Sequence, residues 1–151
     1  SGKCRAFTSD ASQLAAARLR APGGAQSMVI LSERISKEPL GPAVRAEDDD
    51  WLTLVRWVLF VMISAEEVGI TRDNVRKRMN DPAVQRAFGA DDEFSKMLGI
   101  EAGWGLRVLQ SAGNYGEMFE RNLGQGSPLK LERGLNRLWT HGGLMYSPPL
   151  R

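Results

Sequence analysis

The chain has one cysteine and one histidine among its 151 residues. With Cys4 alone, no disulfide can close within it. That usage leans towards a reducing compartment, and it loses weight if a partner cysteine lies on another segment. A single histidine excludes multi-histidine zinc sites and Ser-His-Asp chemistry. His141 lies in a Gly-rich turn, THGG, and reads as a solvent-facing polar residue. No Lys/Arg block is present: 20 basic residues stand against 18 acidic ones, a net charge of +2. The sequence pI of about 8.9 therefore reflects a scattered surplus, which argues against a nucleic-acid role. No segment is long and apolar enough to span a bilayer. The richest, WLTLVRWVLFVMISA at residues 51–65, is too short and holds Arg56, so a buried helix is expected. No basic region followed by an apolar run opens the chain, so no signal peptide is expected in it.

Other chemistry is absent by pattern. GNYG at residues 113–116 lacks the Gly-Lys-Ser/Thr ending of a phosphate loop. Asp48, Asp49 and Asp50 lack the alternating oxygens and distal Glu of a calcium loop. They read instead as helix-capping carboxylates. No catalytic constellation, metal site or cofactor is expected, and an enzyme ranks last among the functional readings. Cys4 has no histidine near it in sequence and reads as a buried or disulfide-bonded thiol rather than a nucleophile.

Apolar content of 42% and charged content of 25% fit one globular domain with a core. Residues 4–8, CRAFT, read as a strand. Ser9 or Asp10 then caps a helix, ASQLAAARLR. APGGAQS is a loop, and MVILS at residues 28–32 reads as a second strand. Pro39 and Pro42 flank Gly41 and exclude regular helix. This extended connector should enter a strand at residues 43–45. A largely buried helix follows over residues 50–68, stopped by Gly69 at a C′ position. From residue 70 the chain reads as helical throughout. Thr71 caps TRDNVRKRM, and Asp81-Pro82 starts a helix ended by Gly89. Asp91 or Asp92 opens one ended by Gly99. Further helices are expected over residues 101–112 and 114–123. Ser127-Pro128 repeats the cap-then-proline signature before LKLERGLNRLW, and residues 145–151 form an irregular tail.

Asp10 has a binding logic of its own. It stands where an expected strand gives way to a helix, the place where ligands of open α/β sheets gather. A carboxylate there can hold an ammonium group through charge-assisted hydrogen bonds. From the residues alone, a plain capping role is the stronger alternative.

Three segments, CRAFTSDASQLAAARL, VILSERISKEPLGPAVR and GNYGEMFERNLG with GLNRLWTHGGLMYSPPLR, resemble the extracellular solute-binding proteins of polar amino-acid ABC transporters. The general L-amino-acid-binding type of the Gram-negative periplasm is the nearest in pattern. The resemblance implies an α/β parent with the two-lobed type II periplasmic-binding-protein fold. This chain would supply a few strands and then a mostly α-helical C-terminal half. Residues 1–34 would be a remnant of the second ligand-binding lobe. Residues 35–45 would be the hinge crossover, stiffened at Pro39, Gly41 and Pro42. Residues 46–151 would be a first-lobe helix and a helical C-terminal extension. The resemblance also implies that Asp10 holds the ligand α-ammonium group, and that Cys4 pairs with a cysteine on a missing segment. The family's carboxylate-binding Arg and Gly-Thr-Thr loop have no counterpart here. The implied partners are L-amino acids and the membrane permease of an ABC transporter, in the periplasm. The isolated chain is expected to bind no ligand, and to expose strand edges that invite a homo-oligomer or domain swap. The competing reading is a truncated, self-associating helical fragment with no ligand function.

Overall fold

A computed structural model describes residues 4–88 and 92–149. Seven α-helices are formed among them: α1 (Ala11–Leu19), α2 (Asp49–Glu67), α3 (Val75–Arg78), α4 (Pro82–Phe88), α5 (Asp92–Met97), α6 (Trp104–Ala112) and α7 (Tyr115–Asn122). Single 3-10 turns follow at Gly134–Asn136 and Trp139–His141. Two compact units divide the chain. The first takes Ser1–Gly41 and Arg121–Glu132, the second Pro42–Glu120 and Arg133–Arg151.

The second unit is built on α2. Asp48 accepts a hydrogen bond from the Trp51 N–H at 3.1 Å, and Asp49 and Asp50 fill the first turn. Three carboxylates at a helix N-terminus satisfy a donor and complement the dipole. At the other end Gly69 takes φ +67°, with Ile70 N bonded back to Ala65 O at 2.8 Å. This is the glycine stop that the sequence predicts. The burial is uneven. Val61, Met62, Ile63 and Ala65 are buried, whereas Trp51 at the start of α2 is 52% exposed. The expectation of burial along all of α2 therefore holds only for its last turns.

Against those turns α6 packs through Gly105, where an added Cβ would lie 3.7 Å from Phe88 O and 3.8 Å from Val61 Cγ1. Val61, Ala65, Ile70, Val75, Val84, Phe88 and Leu109 form the core. Burying each large side chain of this kind stabilises by roughly 1.5–3 kcal/mol. Trp57, Phe94 and Trp104 extend the core as an aromatic row, with centroids 4.7 and 6.2 Å apart in turn.

Local cap chemistry sets most boundaries. Thr71 and Asn74 exchange side-chain bonds with each other's backbone N–H, at 2.8 and 3.2 Å, ahead of α3. Asp81 accepts from the Ala83 N–H at 2.9 Å, with Pro82 at the first helical position of α4. Gly99 ends α5 at φ +66°. The expected stop at Gly89 and the Asp91 alternative lie outside the described residues. Helix α6 begins at Trp104 rather than residue 101, because Gly103 at φ +73° turns the chain just before it.

Two expectations fail. No strand forms at residues 4–8, 28–32 or 43–45. Among the described residues the sole β feature is an isolated bridge between Leu138 and Met145. Met28 is extended (φ −135°, ψ 142°), but residues 28–40 make no backbone–backbone hydrogen bond among the described residues. Strand geometry without a facing chain makes no ladder. Nor does Ser127-Pro128 start a helix. Ser127 Oγ accepts from Leu129 N at 3.1 Å, but Lys130 then takes φ +51° and Gly134 φ +50°. Left-handed residues at both places exclude continuous helix.

Candidate functional site

The first unit carries the sequence-predicted site. Asp10 stands at the N-cap of α1, and its carbonyl accepts the first helical bond from Leu14 N at 2.8 Å. Its carboxylate makes no cap bond. Asp10 Oδ2 instead accepts from Gln13 Nε2 at 2.9 Å, and Ser9 Oγ donates to Gln13 Oε1 at 2.8 Å. Gln13 thus holds the half-buried carboxylate to one side, and Oδ1 has no partner among the described residues. An acceptor-only group held at a helix N-terminus and released from capping can receive an ammonium group. Sequence reasoning overlooked Gln13. Its signal was present in the D-x-x-Q spacing of a capping box, here closed between side chains instead of onto the backbone.

Cys4 is a free, exposed thiol. Of the two alternatives expected for it, a buried or a disulfide-bonded thiol, burial is not observed, because the described residues around it form no strand. Pro39, Gly41 and Pro42 lie in exposed, irregular chain where one unit gives way to the next. A Cβ at Gly41 would meet no atom within 4 Å, so no steric demand for glycine exists there. His141 is exposed in a 3-10 turn. No group of three or more His, Cys, Asp or Glu could hold a metal ion among the described residues. No helix among them is long and apolar enough to cross a membrane.

In the second unit, polar constellations are structural. Asn114 and Glu117 form a reciprocal capping box at the start of α7, both bonds 2.9 Å. Asn114 Nδ2 also donates to Ile70 O at 2.7 Å, and Glu117 accepts from Arg72 N at 3.0 Å. The box therefore ties α7 to the turn that follows α2. Arg133 makes a two-pronged ion pair with Glu66, both side chains only 15% exposed. Its guanidinium lies 5.5 and 5.8 Å from the Tyr115 and Phe119 ring centroids. Tyr115 has its hydroxyl pKa raised above 10.0, chiefly by burial.

Sequence and fold comparisons agree on the class. The chain is 45% identical over its whole length to a putative amino-acid ABC transporter-binding protein, YhdW, of Escherichia coli K12. It is 47% identical over 99% of its length to the general L-amino acid-binding periplasmic protein AapJ of Rhizobium johnstonii. It is 44% identical to the glutamate/glutamine/aspartate/asparagine-binding protein BztA of Rhodobacter capsulatus. It spans about 45% of the length of each. No protein-family model matches it. Among solved structures, a periplasmic binding protein from Brucella ovis with glutathione bound superposes with a TM-score of 0.91 at 44% identity. The match covers 99% of this chain and 48% of that one.

The chain is thus homologous, along its full length, to one part of the periplasmic solute-binding proteins of amino-acid ABC transporters. These relatives are binding proteins and not enzymes, as the missing catalytic constellation led one to expect.

Proposed function

We propose that these 151 residues are the C-terminal portion of a periplasmic receptor of the type II binding-protein fold that delivers L-amino acids to an ABC importer. Asp10 receives the ligand's α-ammonium group in that receptor. The observation that carries this is the Asp10 carboxylate itself, left uncapped at the head of α1 and turned aside by Gln13. The relatives' ligands share the matching chemistry. The glutamyl end of glutathione presents the same α-ammonium and α-carboxylate as a free amino acid. Pro39, Gly41 and Pro42 would stiffen the crossover, and Cys4 would pair with a cysteine on a preceding segment.

Alone, the 151 residues bind amino acids negligibly. One exposed ion pair is worth about 0–1 kcal/mol, whereas a micromolar complex requires about 8 kcal/mol. Calorimetric titration with L-glutamate, an L-amino-acid mixture and glutathione is the test. No saturable heat is expected for the chain alone. Co-expression with the N-terminal part of the Escherichia coli relative should restore micromolar binding, and Asp10→Asn should then weaken it by about 30-fold or more, as for a lost charge-assisted contact. Micromolar binding by the chain alone would overturn its inertness. Restored binding indifferent to Asp10→Asn would remove Asp10 from the site.

A second reading, a self-associating fragment without ligand, is favoured by exposed apolar side chains in the first unit. Phe7, Val29, Leu31, Ile35 and Leu40 are 69–84% exposed. Light scattering decides it: a ligand-indifferent dimer or larger species would support that reading, and a monomer would dismiss it.

A further inference from the structure

The second unit holds an open cleft of about 590 Å³ lined by Glu67, Trp139, Thr140, Tyr146 and Ser147. It shares no residue with the Asp10 site. Two large aromatic rings stand in solvent there: Trp139 is 61% exposed and Tyr146 64%. The backbone presenting the indole is tightly held. Trp139 N donates to Met145 O at 2.9 Å, Gly143 N to Leu138 O at 3.0 Å, and Leu144 N to Leu135 O at 2.8 Å. Gly142 turns the chain at φ +77°. At Gly143 a Cβ would fall 1.8 Å from Arg137 O, so no other residue fits. The indole is pinned as well, since Nε1 donates to Glu67 Oε1 at 3.1 Å. A rigid turn that displays an apolar ring forgoes the burial available to it, and such display marks binding surfaces.

The lining chemistry narrows the ligand. Among the described residues Glu67 is the sole charged one lining the cleft, and its Oε2 has no partner among them. Ser147 Oγ donates to Pro148 O at 2.9 Å, which leaves its lone pairs to accept. Arg137 and His141 flank Trp139 in sequence, but neither lines the cleft. Aromatic faces attract cations, and a carboxylate binds alkylammonium or guanidinium through charge-assisted bonds. An anion would meet Glu67 unfavourably, and a neutral apolar ligand would desolvate it without return. We propose that the Glu67–Trp139–Tyr146 cleft is a binding site for an organic cation. The cation is an alkylammonium or guanidinium group, carried by a small molecule or by a basic side chain of a partner protein.

Heteronuclear NMR of the Trp139 indole N–H, assigned by its loss in Trp139→Phe, tests this on the whole chain. The probes are n-butylguanidinium, its neutral isostere n-butylurea, and a capped Gly-Arg-Gly peptide. A saturating shift at millimolar n-butylguanidinium is expected, with none from n-butylurea. Glu67→Gln should weaken binding about fivefold and Tyr146→Leu about threefold, the range for an exposed charge contact and one ring face. Unchanged Trp51, Trp57 and Trp104 resonances would certify the fold of each variant. Tighter binding of the peptide would assign the site to a partner's basic side chain. Equal or weaker binding would assign it to a free cation. No shift, an equal shift from n-butylurea, or a Glu67→Gln variant of undiminished affinity would overturn the proposal.

Discussion

The two units of this molecule are stabilised very differently. In the second, side chains from α2, α3, α4 and α6 close on one another around Val61, Phe88 and Leu109, each no more than 2% exposed. In the first, Ala15 is the sole buried hydrophobic residue among those described, while Phe7, Val29, Leu31, Ile35 and Leu40 face solvent. Both have helix-forming sequence, and both lie within the full-length match to the same relatives. Local propensity is therefore not what separates them. A helix such as α2 satisfies its own backbone, and partners contributed from within about 60 residues cover it. An extended segment satisfies neither its backbone nor its side chains until another chain segment lies beside it.

The most severe test of the contrast compares cavities on the two sides. Phe88→Ala should cost about 3–5 kcal/mol, as for other buried phenylalanines. Leu31→Ser should fall within about 0.5 kcal/mol of zero, because Leu31 is 69% exposed. Chemical denaturation of both variants measures this. A comparable loss at Leu31 would mean that the first unit is covered in solution, as self-association would require. Next in size is the ion pair that fastens the C-terminal segment. Glu66→Ala should cost about 3 kcal/mol, because it leaves the Arg133 guanidinium buried without its counter-charge. The double change Glu66→Leu with Arg133→Met should cost less than either single loss, since no unpaired charge remains. A double variant as unstable as the single ones would assign the stability to the Tyr115 and Phe119 contacts of Arg133 instead.

What the sequence revealed follows the same division. Asp48, Asp81-Pro82, Gly69 and Gly99 were readable because a cap is decided within four or five residues, whereas Thr71 lies in a turn ahead of α3, whose N-cap is Asn74. Strands at residues 4–8 and 28–32 were read from composition, but a strand is a relation between two segments, and the second is not among the described residues. Ser127-Pro128 was read as a helix cap but closes only a local turn, Ser127 Oγ accepting from Leu129 N. Arg133 is held by Glu66, 67 positions away, and the chain turns at Lys130 and Gly134 on either side of it. The site divided likewise. The place of Asp10 at the head of α1 was legible, and the binding role proposed for it comes from the resemblance. Gln13, three residues on, was legible in principle and missed. Glu67 and Trp139, 72 positions apart, could be joined only by the fold.

Asn114 offers a smaller and more local probe of the packed unit. Asn114→Ala removes the N-cap of α7 and leaves the buried Ile70 carbonyl without its donor. A cost of about 2 kcal/mol is expected from the two together. Thermal unfolding reads it, and a loss under about 0.5 kcal/mol would show that water replaces the amide at Ile70.

The smallest effect compares two aspartates at helix starts. Asp81 has its carboxyl pKa lowered below 3.8, first by the Ala83 N–H it accepts from and then by Arg78, 3.0 Å away. A depressed folded pKa adds stability that is present above the unfolded pKa and is lost as pH falls through the folded one. Asp81→Asn keeps an acceptor for the cap but loses the charge. The variant should therefore be slightly less stable at about pH 6, with the deficit shrinking below about pH 4. Added salt should shrink it too, because the pair with Arg78 is on the surface. Asp10 begins a helix in the same way but gives its carboxylate to Gln13 and not to the backbone. Asp10→Asn should leave the melting temperature unchanged, because no backbone cap is lost. A loss of stability at Asp10→Asn matching that at Asp81→Asn would mean that its carboxylate caps α1 after all, and the group proposed to receive a ligand's ammonium would already be occupied.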